Sequence, residues 1–164
     1  KVASQLETLK LFDPTSPLLF VGRAAADTSS LPEPGPPPAT DVPAAPPVVE
    51  FNLSFAALEK CTTTWWADFK LVNTSGELFK SISISLSDAD TLTVTSQDSN
   101  GFTNKDGCGT SNTTDSLVAG GTVTVSSPPL GYNPSGHNLN VKITVCTNTN
   151  LTGTCVKKEL TFKP

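Results

Sequence analysis

The sequence predicts an all-β domain over residues 48–164, and three observations lead to this fold class. Apolar and polar residues alternate in short segments, β-branched residues are frequent within them, and turn-forming residues separate them. Seven such segments occur, which is the number typical of a sandwich of two antiparallel sheets. The predicted strands are 48–55, 65–73, 79–86, 91–96, 122–127, 139–147 and 155–162.

The alternation is clearest in two of these strands. Ile82, Ile84 and Leu86 alternate with serines, and Val141 and Ile143 belong to a second run with the same period of two. Successive side chains of a strand point to opposite faces of its sheet, so each of these strands buries one face and exposes the other.

Two further segments precede the predicted sandwich. Residues 1–30 form an extended N-terminal arm with a short apolar run, Leu18-Leu19-Phe20-Val21, whose length suits a buried strand. Residues 31–47 are rich in proline and should form a semi-rigid polyproline II linker. At about 3.1 Å per residue, 17 residues reach about 50 Å, whereas a domain of this size is about 35 Å across. The linker can therefore carry the arm beyond its own domain.

Composition excludes several functional classes. Charged residues make up 16% of the chain and the net charge is −4, so there is no basic surface for nucleic acid or for anionic lipid. No apolar stretch reaches the roughly 18 residues of a membrane helix. We expect a chain that neither binds nucleic acid nor spans a membrane.

Export is indicated by the start of the chain and by its cysteines. The sequence contains no methionine and begins at Lys1, which suggests removal of an export signal. An even number of cysteines in such a chain favours disulfides formed in a secreted or cell-surface protein. Three pairings are possible; we favour Cys146–Cys155, at the shoulders of a hairpin, with Cys61–Cys108. A zinc site is the alternative, but the chain has no Cys-x2-Cys pair.

Few residues suggest chemistry, and no catalytic or cofactor motif occurs, so we expect neither an enzyme nor a cofactor. His137 is the only histidine and is expected in an exposed loop, and Asp88 and Asp90 are expected to be solvated turn residues. Residues 97–107 are rich in oxygen-bearing side chains, as calcium sites are, but they lack the EF-hand spacing. The weak calcium candidates are Asp98, Asn100 and Asp106.

Four N-glycosylation acceptor patterns occur in the sequence. Their asparagines are Asn52, Asn73, Asn112 and Asn150. Adjacent Trp65 and Trp66 must point to opposite faces of a strand, so one is expected in the core. The other would be exposed or covered by a partner.

In the patterning of residues 48–164 the chain resembles immunoglobulin-like sandwiches, although the Cys…Trp…Cys arrangement of that family is not matched. With its N-terminal arm it also resembles, in organisation, the subunits of pili that assemble by donor-strand exchange. That resemblance implies a structural subunit of an extracellular filament, a homopolymer in which each arm inserts into a neighbour's sandwich. The apolar residues expected at the subunit interface are Leu9, Leu11, Phe12, Leu18, Leu19, Phe20 and Val21.

The alternative function is a monomeric cell-surface binding module of the glycan or adhesin type. Its partners would be surface glycans, and its site would combine Trp65, Trp66 and Tyr132 with the loop from Asp98 to Asp106.

Overall fold

The computed structural model describes residues 48–109 and 111–164, and of the chain before them only Gly35. The predicted arm, the remainder of the proline-rich linker and all seven expected interface residues lie outside the described residues. Within the described part the chain forms nine strands and no helix. That part accordingly contains no helix of the length and apolarity needed to cross a membrane.

All seven predicted strands are present, and two short ones, β5 and β6, occur where a loop was expected. The first strand begins three residues later than predicted and continues six residues further. The strands are β1 (Phe51–Cys61), β2 (Thr64–Asn73), β3 (Ser81–Asp88), β4 (Thr93–Asn100), β5 (Phe102–Lys105), β6 (Ser111–Thr114), β7 (Thr122–Ser126), β8 (Leu139–Cys146) and β9 (Cys155–Phe162).

Seven of the strands build two antiparallel sheets. One has the order β1-β2-β7 and the other β4-β3-β8-β9, while β5 and β6 form a separate hairpin. In immunoglobulin nomenclature, β1, β2 and β7 take the places of strands A, B and E, and β3, β8 and β9 those of C, F and G. The predicted fold class, an all-β immunoglobulin-like sandwich, is therefore confirmed for residues 48–164.

The core lies between the two sheets and follows the alternation in the sequence. Phe69 of β2, Ile84 of β3 and Val141 of β8 are buried in one cluster. Phe162 of β9 reaches across to the other sheet, with ring centroids 4.8 Å from Phe55 and 5.3 Å from Phe69. Burying these side chains supplies the main driving force for folding.

The β5–β6 hairpin packs beside β7 and closes part of one side of the sandwich. Phe102, its first residue, is almost fully buried in the core. Gly101 precedes it with φ +87°, and a Cβ there would lie 2.9 Å from the Thr114 carbonyl oxygen, so the turn into the hairpin requires glycine. The Trp66 indole Nε1 donates to the Lys105 carbonyl oxygen at 3.0 Å, which places the hairpin over the outer face of β2.

Candidate functional site

A buried carboxylate ends β3 and organises the turn that follows. Asp88 is the last residue of that strand, and its Oδ1 accepts hydrogen bonds from the backbone amides of Asp90 at 2.8 Å and Thr91 at 3.3 Å. Aspartate commonly closes a turn in this way, because its short side chain reaches amides two and three residues ahead. Leu92 completes the turn with a positive φ of 58°.

The other oxygen of this carboxylate receives side chains from the distant β7–β8 connection. Tyr132 Oη donates to Asp88 Oδ2 at 2.7 Å, and His137 Nδ1 donates to the same oxygen at 2.7 Å. The two rings also stack, with centroids 5.7 Å apart. Burial alone would raise the pKa of Asp88, but the hydrogen bonds from the two rings and the turn amides outweigh it and hold the pKa far below its usual range.

This network differs from the expectation that Asp88 is solvated and that His137 is exposed, because Asp88 is buried and His137 is half-buried; Asp90 is exposed, as expected. Asp88 is buried because the β7–β8 connection folds over the end of β3, a contact between residues 44 and 49 positions apart. Asp88, Asp90 and His137 offer three potential metal ligand atoms within 4.8 Å of one another. Both oxygens of Asp88 already accept hydrogen bonds, however. The cluster therefore holds the turn after β3 against the β7–β8 connection.

A second buried carboxylate lies on the outer face of the three-stranded sheet. Asp68 of β2 accepts a hydrogen bond from Ser126 Oγ at 2.6 Å, and that hydroxyl oxygen accepts one from the Lys105 amide at 2.7 Å. Burial raises the pKa of Asp68 to about 6 against the lowering effect of the Ser126 bond, and the carboxylates of Glu59 and Asp106 raise it further. The β5–β6 hairpin therefore covers a carboxyl group whose charged form is disfavoured.

Both disulfides that the sequence favours are present. Cys61 at the end of β1 is bonded to Cys108, beyond β5, across 47 positions of the chain. Cys146 and Cys155 face each other across the β8–β9 pair, nine positions apart. The first disulfide ties the hairpin region to the three-stranded sheet, and the second joins the ends of two paired strands.

The tryptophans do not form an exposed platform. Trp66 is 4% exposed beneath the hairpin, and the half-buried Trp65 packs against the core. Lys60 Nζ lies 4.9 Å from the centroid of the Trp65 ring. Tyr132 is engaged with Asp88 at the end of the sandwich. The aromatic surface on which the glycan-binding alternative depends is therefore not formed by these side chains.

The weak calcium candidates lie on different elements, because the expected loop is strand over much of its length. Asp98 and Asn100 are exposed on one face of β4, whereas Asp106 follows β5. The Asn100 side-chain amide donates to Asn150 Oδ1 at 2.9 Å, so it is already paired. Asp98 and Asp106 belong to no cluster of three potential ligands within the described residues.

Three of the four candidate glycosylation sites are exposed: Asn52, Asn112 and Asn150. Asn73 is different, because it is fully buried and its side-chain nitrogen donates to the carbonyl oxygens of Glu77 at 2.7 Å and Leu117 at 3.1 Å. A glycan on Asn73 would break both bonds and has no space in the folded domain, so this candidate is wrong for the folded chain.

These features define the chain as an all-β protein of the immunoglobulin-like sandwich class with two disulfides. No known protein family and no curated protein sequence matches it. Among solved structures, it is similar to the crystal structure of a Bordetella pertussis protein described as ApaA. The two are 14% identical with a TM-score of 0.37, and the match covers 72% of this chain and 93% of the other. A similarity of this extent carries no argument about function.

Proposed function

We propose that this chain is a structural subunit of an extracellular filament, polymerised through insertion of its N-terminal arm as an added strand at an open sheet edge of a neighbouring subunit's β-sandwich. In this proposal the protein is secreted, is not an enzyme, and takes copies of itself as partners. The observation that carries the proposal is that the seven strands of the domain build a two-sheet core of their own.

The core of the domain is built from the domain's own strands. Within the described residues, Phe51, Phe69 and Leu71 pack with the other buried side chains of one cluster, which the strands of the domain build themselves. The apolar run Leu18-Leu19-Phe20-Val21 is then not needed to complete the domain that follows it. Four such side chains gain about 1.5–3 kcal/mol each on burial, so a second molecule's surface is a favourable place for them.

The disulfides fit a protein that works outside the cell. A bond across 47 positions stabilises a domain by about 4 kcal/mol, and one across nine positions by about 2.5, in the chain-entropy model. Such bonds persist in oxidising compartments and are rare in the cytosol. Covalent ties at both the β1 and β8–β9 ends also suit a subunit that must transmit tension along a filament.

The test is the size of the secreted, oxidised full chain, measured by light scattering after size-exclusion chromatography and by electron microscopy. The proposal predicts large unbranched polymers for the full chain. A variant without residues 1–30 should run as a monomer with an unchanged circular dichroism spectrum. The matched point variant Leu19→Ser/Phe20→Ser should behave like the deletion, whereas Ser29→Ala/Ser30→Ala in the same arm should still polymerise.

A full chain that remains monomeric at every concentration, both as secreted and after incubation at high concentration, contradicts the proposal. If that monomer instead binds an array of sugars, and does so equally without residues 1–30, the alternative of a cell-surface binding module is the correct one.

A further inference from the structure

The sandwich has four edge strands, and three of them are protected against pairing with another chain. β1 contains an irregularity between Phe55 and Ala57, which interrupts its regular ladder. β9 carries Lys157, Lys158 and Glu159 in succession, and β7 has only five residues with the hairpin packed beside it. Bulges, charges, short length and covering segments are the devices by which native edges avoid unwanted strands.

The fourth edge, β4, has fewer of these devices, although β5 borders its C-terminal half, where Asp98 lines one cavity with Thr103 and Lys105. Its eight residues pair with β3 in an uninterrupted antiparallel register, and it contains no proline, no lysine and a single charge, Asp98. Within the described residues its other side has no strand partner. About half of the backbone N–H and C=O groups of such an edge point away from the sheet and remain available to a further strand.

Exposed apolar residues mark the start of this edge. Leu92 is 86% exposed and Val94 is 67% exposed, and both line an open groove of about 460 Å³ that also includes Leu139 and Thr161. Leu92 moreover adopts a positive φ, which costs free energy in a residue other than glycine. A large apolar side chain held both exposed and strained suggests a surface that is covered in the assembled protein.

The positions of one apolar and one charged residue in the N-terminal arm match those of an apolar and a charged residue on β4. Val94 and Asp98 are four positions apart on the solvent face of β4, opposite Ser87 and Ser83 of β3. In the arm, Leu19 and Arg23 are also four positions apart, and Arg23 is the only charged residue between positions 14 and 26. A strand added in parallel with Leu19 beside Val94 brings Arg23 beside Asp98, pairing the one charge of each segment.

We propose that β4 is the acceptor edge of the filament, and that residues 17–23 of a second copy add to it in parallel with Leu19 beside Val94 and Arg23 beside Asp98. This inference rests on the proposed function and specifies its surface. Because β4 is an edge of the four-stranded sheet, the arm extends that sheet to five strands by β-augmentation. Each copy offers one arm and one edge, so the contact is head to tail, and it propagates into an open filament when successive rotations do not close a ring.

The first experiment blocks the edge in the full chain. Val94→Lys places a charge where Leu19 would pack and should weaken polymer formation at least about tenfold, the factor expected for losing one buried valine contact. The matched control is Val118→Lys, a lysine at another exposed valine far from this edge in the sequence, which should leave polymerisation unchanged.

The second experiment exchanges the charges. Asp98→Arg and Arg23→Asp should each reduce polymer yield several-fold, and the double variant should recover most of the yield, since the pair is restored in reverse. Asp115→Arg serves as the control, because it reverses another exposed carboxylate that is in no ion pair of the described residues. No recovery in the double variant overturns the assigned register.

The outcomes separate the two proposals. If the wild-type chain forms no polymer, the filament function fails. If it forms polymers that are unaffected by Val94→Lys and Asp98→Arg, the function stands and β4 is not the acceptor. If a monomeric full chain shows hydrogen-exchange protection of β4 that disappears on deletion of residues 1–30, the arm pairs with its own domain and the intermolecular contact is wrong.

Discussion

Asp68 provides a test of how the β5–β6 hairpin shapes the domain. Its carboxyl group is 6% exposed on the outer face of β2, and burial raises its pKa from 3.8 to about 6. Since the folded state favours the protonated form, this group makes the domain more stable as the pH falls from above 6 towards 4. At higher pH the Asp68 carboxylate lowers the free energy of unfolding, because its charged form must be buried.

The expected change in the free energy of unfolding follows from the shift in the pKa of Asp68. A displacement of about two pKa units corresponds to about 3 kcal/mol at 1.36 kcal/mol per unit. The neighbouring carboxylates of Glu59 and Asp106 contribute least to the shift and are screened because they are partly or fully exposed, so we expect about 2–3 kcal/mol. Asp68→Asn removes the charge but keeps an oxygen to accept the Ser126 hydroxyl, and it should raise the free energy of unfolding by this amount at pH 8.

The assay is urea unfolding followed by the fluorescence of Trp65 and Trp66, at intervals from pH 4 to pH 8. The difference between Asp68→Asn and the wild type should be largest at pH 8 and shrink towards zero near pH 4. Asp115→Asn, at an exposed carboxylate outside the proposed filament contact, is the matched control. A difference that is constant with pH, or that grows in acid, refutes the reasoning.

Three further predictions concern stability. Asp88→Asn turns an amide nitrogen towards hydrogen-bond donors and should lower the free energy of unfolding by about 3 kcal/mol at pH 7. This effect is complete above about pH 4 and shrinks as the pH falls below that value, because the pKa of Asp88 is held low in the folded state. Thr95→Val should raise it by about 1 kcal/mol in the same measurement, because the buried Thr95 hydroxyl has no partner. Replacing Cys61 and Cys108 by serine should destabilise the domain more than replacing Cys146 and Cys155, as calorimetry of both variants would show.

The strands were predictable because the signal that specifies them is local. Ile82, Ile84 and Leu86 alternate with serine, and the structure places all three in the core. Where the alternation weakens, the prediction failed. The second half of β1 has consecutive apolar residues, Ala56-Ala57-Leu58, without alternation, and the hairpin β5–β6 has one large apolar residue, Phe102. These segments are held by strand pairing and by the Cys61–Cys108 bond.

The candidate sites were less predictable, because they depend on contacts between distant segments. No residue near Asp88 in the sequence predicts its hydrogen bonds with Tyr132 and His137, because both of these residues belong to the distant β7–β8 connection. An Asp at a strand end followed by a polar turn was the one available signal, and it indicates only the turn. Trp66 presents the same limitation, since its burial depends on a hairpin that begins 36 positions later.

By itself the sequence determined the fold class and the approximate positions of seven strands, and among three possible disulfide pairings it favoured the one that the structure contains. The fold class and the strands follow from the period-two alternation of apolar residues, and the Cys146–Cys155 bond follows from two cysteines at the shoulders of one hairpin. Both signals are properties of residues close together in the sequence. Only the tertiary structure decided which polar residues are buried and which edge is open. Both depend on how the hairpin and the β7–β8 connection pack over the finished sheets, and packing between distant segments leaves no periodic trace in the chain.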